Sequence, residues 1–136
     1  MDTCLFCKIV AGEIPATKIY EDEHVLAFMD IKPVSAGHAL VVPKKHTRNL
    51  IHTDSETLEK TVLPLSKIVE AIKKATNADG VVVSTNNEEA AGQVIFHFHW
   101  HIIPRHHGDG LTPWPHHDAN PEDLASLAEK IKSVLL

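Results

Sequence analysis

Three histidines, His97, His99 and His101, stand two residues apart in the run Val94-Ile95-Phe96-His97-Phe98-His99-Trp100-His101-Ile102-Ile103. The run is rich in β-branched and aromatic residues and has no internal glycine or proline, a composition that predicts one strand. Side chains alternate across a strand, so the three imidazoles share one face at roughly 6.6 Å spacing while Phe98, Trp100 and Ile102 share the other. A neutral imidazole offers one nucleophilic nitrogen and one N–H donor. A row of them can therefore combine a nucleophile with hydrogen-bond donors or an acid. A shared metal ion is the other use, disfavoured because the first and third rings are spread over roughly 13 Å.

Presenting such a row takes a sheet, and the rest of the chain has the pattern for one. Apolar residues at near-helical spacing from Cys4 to Ile14, stopped by Gly12 and Pro15, predict one or two helical turns. Lys18–Tyr20 and Val25–Met29 read as strands joined by the acidic turn Glu21-Asp22-Glu23, and His38–Pro43 as a third, buried strand. Thr53 with Glu56 three residues on reads as a capping box opening a long helix. In that helix Leu58, Val62, Leu65, Val69 and Ile72 recur at steps of four and three. Pro64 inside it removes the bond to the Lys60 carbonyl and predicts a kink. Val81–Val83 begins a fourth strand, residues 86–92 form a polar loop, and the histidine run is the fifth strand. Asn120-Pro121-Glu122-Asp123 has cap, N1 proline and first-turn acids in order for a helix carrying Leu124, Leu127, Ile131 and Leu135. The expected fold is α+β, a five-stranded, mainly antiparallel sheet with a long helix and a C-terminal helix.

The 136 residues suit a single domain spanning 1–136. A formal charge of −5, with lysines single or paired, excludes a basic stripe for nucleic acid. No apolar run approaches the ~20 residues of a membrane span, and no basic leader precedes Cys4. A cytoplasmic protein without nucleic-acid or membrane partners is expected. A Cys4–Cys7 disulfide would constrain little chain entropy, so reduced thiols fit better. Eleven histidines are more than any one site can use.

His-x-His-x-His followed by two apolar residues, between Ala91-Gly92-Gln93 and Pro104-Arg105, resembles the motif of the histidine triad (HIT) family. The resemblance, to the family's small homodimeric nucleotide-binding branch, covers about residues 4–107. Phe6, Ile9, Glu13-Ile14-Pro15-Ala16, Glu21-Asp22, Ala27-Phe28-Met29-Asp30-Ile31, Gly37-His38, Val42-Pro43-Lys44-Lys45-His46 and Asn86 carry it. It implies a HIT-like homodimer binding a purine nucleotide or nucleotide conjugate. The implied activity is nucleotidyl hydrolysis or transfer at the α-phosphorus of purine nucleoside monophosphate derivatives, as in an adenosine 5'-monophosphoramidase. A dinucleoside polyphosphate hydrolase and a nucleotide-binding interaction module with vestigial activity share the same triad and stay open.

A neutral imidazole avoids part of the repulsion that phosphoryl oxygens exert on an anionic nucleophile. Central His99 is the expected nucleophile, since its neighbours on both sides reach the same phosphorus; the resemblance implies the same, through a nucleotidyl-histidine intermediate. His101 would donate to the leaving atom. His38 looks like the family's additional histidine on the phosphate side. Asn86 and Gln93 offer amide groups to the phosphate, and backbone N–H groups after Gly92 can cradle an oxygen. Val94 stands where some members have serine or threonine, leaving only its backbone N–H. No cofactor is needed for this chemistry.

The resemblance points to Phe6, Ile9, Ile14, Phe28, Met29, Ile31 and Leu40 as walls for a base, and to Asp30 as acceptor for the ribose hydroxyls. In any fold the apolar members would also serve as core, and Asp30 could simply cap its loop. Cys4 and Cys7 have the spacing of a zinc half-site, but also that of two buried thiols or a redox pair. Relatives that look similar imply a structural Zn2+ completed by His46 and His97. For Trp114 two placements stay open, over the partner's leaving-group site or packed within its own subunit.

Overall fold

The computed structural model describes residues 3–135. Helix α1 (Leu5–Val10) is followed by strands β1 (Lys18–Glu21), β2 (Val25–Met29) and β3 (Ala39–Pro43), helix α2 (Ser55–Thr76), strands β4 (Gly80–Ser84) and β5 (Trp100–Arg105), and helix α3 (Pro121–Val134). The strands form one sheet in the order β1-β2-β3-β5-β4, every neighbouring pair antiparallel. The α+β expectation holds.

Both faces of the sheet are covered, which explains why Val25–Met29 and Ala39–Pro43 are apolar at every position instead of alternating. On one face Val25, Ala27, Ala39, Val41 and Ile102 pack against Leu65, Ile68 and Ile72 of α2. On the other, Leu26, Phe28, Leu40 and Val42 pack against Phe6 and Ile9 of α1. Asp22 turns the first hairpin by accepting from the His24 and Val25 N–H groups at 2.7 and 2.8 Å.

Two boundaries differ from the sequence reading. The cap of α2 is Asp54, whose carboxylate accepts from the Thr57 N–H at 3.1 Å. The Thr53 hydroxyl is already committed to the Asn49 carbonyl at 2.6 Å. The helix then runs unbroken through Pro64.

The second difference concerns the histidine strand. It begins at Trp100, so only His101 lies in the sheet; His97 and His99 precede it. Pairing to β3 covers only Ala39–Val41 against Trp100–Ile102. Pro43, further along β3, has no N–H to continue the ladder. Its carbonyl takes the His97 Nε2–H at 2.8 Å, and the Phe98 N–H goes to the Thr47 carbonyl at 2.8 Å.

The loop from Asp30 to His38 is held tightly. Gly37 has φ +94°, and a Cβ there would stand 2.5 Å from Thr76 Cγ2. Thr76 cannot rotate away freely, because its hydroxyl is bonded to the Ile72 carbonyl at 2.7 Å. Gly37→Ala is therefore expected to cost about 2–3 kcal/mol from backbone strain and overpacking. A lower urea midpoint with an unchanged slope would register it, and a wild-type midpoint would contradict the tight approach.

Candidate active site

A cavity of about 590 Å³ opens between α1, β2, β3 and the histidine segment. Phe6, Ile9, Ile14, Phe28, Met29, Ile31 and Leu40 supply its apolar wall, and Asp30, Val94, His99 and His101 also face it. Phe6 comes from α1, where Cys4 caps the helix by accepting the Cys7 N–H on its sulfur at 3.3 Å. The Phe6 ring stands edge-on to His99 at 5.0 Å and to Phe28 at 5.5 Å between centroids. Leu5, Lys32 and Ile95 line the cavity too. Sequence reasoning did not single them out, because nothing in their type or spacing separates them from ordinary surface and core residues.

Hydrogen bonds assign a tautomer to each ring. His99 Nδ1 lies 2.7 Å from the His97 carbonyl, which can only accept, so Nδ1 carries the proton and Nε2 keeps its lone pair. No hydrogen bond engages that Nε2 among the described residues. His38 Nδ1 accepts the Val34 N–H at 3.0 Å, so its proton is on Nε2, 3.0 Å from His101 Nδ1. His101 accepts there and carries its own proton on Nε2. The constellation thus holds one free nucleophilic nitrogen beside one N–H donor.

Burial pushes His101 down to about 4, helped by His99 and His38 and opposed by Asp30. His97 is also pushed down to about 4, first by burial and then by His46 and His99, against the bond to the Pro43 carbonyl. Burial lowers His99 and His38 as well, each opposed by Asp30. The unfolded chain therefore binds protons near the ordinary value of 6.5 that the folded chain refuses until about 4. Stability is full above that upper value and declines as pH falls through the window. The urea midpoint at pH 5 is expected to lie below that at pH 7.5; equal midpoints would mean the rings are not held neutral.

Among the described residues, two clusters have ligand-type atoms within 4.8 Å of one another, Cys4-Cys7-His46-His97 and Asp30-His38-His101. In the first, His97 donates Nε2–H to Pro43, and so its Nδ1 lone pair faces Cys4 Sγ, Cys7 Sγ and His46 Nδ1 at 3.4, 3.5 and 3.2 Å. Two thiols and two imidazoles, that of His97 oriented by the Pro43 carbonyl on its second nitrogen, fit a tetrahedral metal ion. Burial and the neighbouring Cys4 push the Cys7 thiol up to about 11, a penalty that a bound cation would reverse. The second cluster does not fit, because His38 Nε2 holds a proton as long as Nδ1 accepts from Val34. It is a hydrogen-bond chain.

Asn86 and Gln93, expected at the phosphate, do not line the cavity. Gln93 is 3% exposed and its amide is consumed internally. Its Oε1 accepts from the Glu88 N–H and Asn49 Nδ2, and its Nε2 donates to the Arg48 and Ile95 carbonyls. Arg48 grips Glu88 at 2.7 and 2.9 Å, holding that carboxyl down at about 2, with Asn49 contributing. Asn86 Nδ2 donates to the Ala91 carbonyl at 2.6 Å. These groups shape the loop whose Gly92, Val94 and Ile95 reach the cavity. Arg48, Asn49 and Glu88 gave no signal in sequence, since their partners lie about forty residues away.

Comparison with known proteins gives a consistent picture. Residues 11–108 match the HIT domain family. "Protein hit" of Bacillus subtilis is 46% identical over 134 residues, covering 96% of this chain and 92% of that protein. "Adenosine 5'-monophosphoramidase hnt1" of Schizosaccharomyces pombe is 41% identical over 134 residues, covering 96% of this chain and 97% of its own. Among solved structures, SMU.412c from Streptococcus mutans superposes with a TM-score of 0.92 at 46% identity, over 98% of this chain and 85% of that one. A Zn-bound histidine triad family protein from Mycobacterium smegmatis has a TM-score of 0.77 at 38% identity, over 97% and 98% of the two chains.

Proposed function

The chain belongs to the HIT domain family, and from that premise we propose that it is a nucleotidyl hydrolase acting at the α-phosphorus of purine nucleoside monophosphate derivatives, with an amine as the preferred leaving group. The observation that carries this reading is the free Nε2 of His99, held by one fixed N–H beside a cavity the size of a nucleotide. The yeast relative named as an adenosine 5'-monophosphoramidase supports the substrate class.

In this reading the apolar wall takes the base and Asp30 accepts from the ribose hydroxyls. His99 Nε2 attacks phosphorus and forms a P–N bond. The leaving group's bond to phosphorus breaks, and the leaving nitrogen takes a proton from His101. For this His101 takes a second proton on Nδ1, favoured by the anionic substrate, while the His38 Nε2–H turns to the Asp30 carboxylate 3.5 Å away. The nucleotidylated His99 retains its Nδ1–H toward the His97 carbonyl, so it stays cationic and is itself a good leaving group. Water then attacks as it gives a proton to His101 Nε2, the P–Nε2 bond breaks, and a nucleoside monophosphate departs. Asn86 and Gln93 support the loop at the phosphate side by holding its backbone. The chemistry calls for no cofactor.

We assign Cys4, Cys7, His46 and His97 to a structural zinc ion, supported by the donor set and by the Zn-bound mycobacterial relative. Reduced thiols in that role suit a cytoplasmic protein; no helix among the described residues is long and apolar enough to cross a membrane. A homodimer is supported by β4, an edge strand with Val82 and Val83 each 39% exposed, and by α3, in which no residue is buried. Trp114, 85% exposed in the segment before α3, lies outside the cavity of its own chain.

Turnover of adenosine 5'-phosphoramidate measured beside that of diadenosine tetraphosphate tests the assignment. The phosphoramidate is expected to be much the faster. Comparable rates would remove the preference for an amine leaving group, and no turnover of either would leave a binding module.

A further inference from the structure

The metal-type cluster and the cavity are neighbours that share parts. His97 belongs to both: its ring nitrogen faces Cys4, Cys7 and His46, while its carbonyl takes the Nδ1–H of His99 at 2.7 Å. Helix α1 belongs to both as well. Cys4 and Cys7 bracket Phe6, whose ring stands edge-on to His97 at 5.9 Å and to His99 at 5.0 Å. Leu5, Phe6 and Ile9 of this helix line the cavity. At six residues α1 is too short to persist by its own hydrogen bonds, so its position depends on what tethers it. Those tethers are the packing of Phe6 and Ile9 and the thiols at Cys4 and Cys7.

We propose that zinc occupancy and nucleotide occupancy are coupled in this protein, through the His97 carbonyl and the Phe6 wall. A cation held by Cys4, Cys7, His46 and His97 fixes the N-terminal turn of α1 and the peptide unit that orients His99. The cavity then meets a nucleotide with its wall already in place, and the ordering cost falls on the metal rather than on the nucleotide. Coupling between two sites is reciprocal, so a bound nucleotide must tighten zinc by the same factor as zinc tightens the nucleotide. The factor expected for such a linkage is about 5- to 150-fold. The inference rests on the nucleotide reading of the cavity, and AMP binding by itself separates the two.

The test uses the full chain and two probes, Zn2+ and AMP. Zinc affinity is measured by competition with a chromogenic chelator, without AMP and at saturating AMP. AMP affinity is measured by calorimetry on zinc-loaded and zinc-stripped protein. Equal and reciprocal tightening of at least about 5-fold is expected. Phe6→Ala should keep its zinc yet lose most of the response to saturating AMP. If both forms bind AMP equally, the coupling is wrong and the nucleotide site stands. If neither form binds AMP, the proposed function fails and the coupling with it. Far-UV circular dichroism shows whether stripping unfolds the chain. In that case Phe6→Ala decides: an AMP response as large as in wild type means the linkage runs through global folding and overturns the route proposed here.

Discussion

His99→Ala is expected to lower the turnover of adenosine 5'-phosphoramidate by at least about 10⁴-fold while changing AMP affinity only several-fold. The asymmetry follows from where the ring sits. His99 Nε2 has no hydrogen-bond partner among the described residues, and the apolar wall and Asp30 that would hold the nucleoside come from other elements. Removing the nucleophile leaves those contacts in place. Wild-type protein quenched during turnover should carry one nucleotide on His99 by intact-mass analysis and peptide mapping, and the variant none. Residual turnover within tenfold of wild type, or label on His101, would mean that the wrong nitrogen has been assigned.

His101→Ala is the second large effect, and it depends on the leaving group. Val34 N–H fixes the tautomer of His38, and His38 in turn donates to His101 Nδ1, which leaves the His101 Nε2–H for the cavity. A donor so placed matters only if the departing atom needs a proton. With an alkylamine leaving group the loss is expected at about 10²- to 10⁴-fold. With the p-nitrophenyl ester of AMP, whose leaving anion is stable by itself, the loss should shrink to a few-fold. Equal losses on both substrates would show that His101 positions the phosphoryl group instead of supplying a proton.

Much of this architecture was legible in the chain because it is written in local periodicity. The strand runs Val25–Met29 and Ala39–Pro43, the four- and three-residue steps of α2, and Asn120-Pro121 opening α3 all report near-neighbour physics. The grouping of cavity residues became readable through the family resemblance, since Phe6, Phe28 and Leu40 look like core by themselves. The reading failed where a distant partner outcompeted a local rule. Thr53 has the pattern of a cap, yet its hydroxyl is taken by Asn49 and Asp54 caps instead. Gln93 has the chemistry to meet a phosphate, yet Arg48, Asn49 and Glu88 occupy its amide.

What the sequence determined alone was the alternation that puts His99 and His101 on one side and Trp100 and Ile102 on the other, a property of extended backbone. Which nitrogen of each ring holds the proton was beyond it, because the tautomer is set by the hydrogen bond that the other nitrogen makes. Tertiary contacts made that choice. The Pro43 carbonyl turned His97 toward the thiols, the His97 carbonyl left His99 a free lone pair, and the Val34 N–H, passed on through His38, left His101 a proton to give.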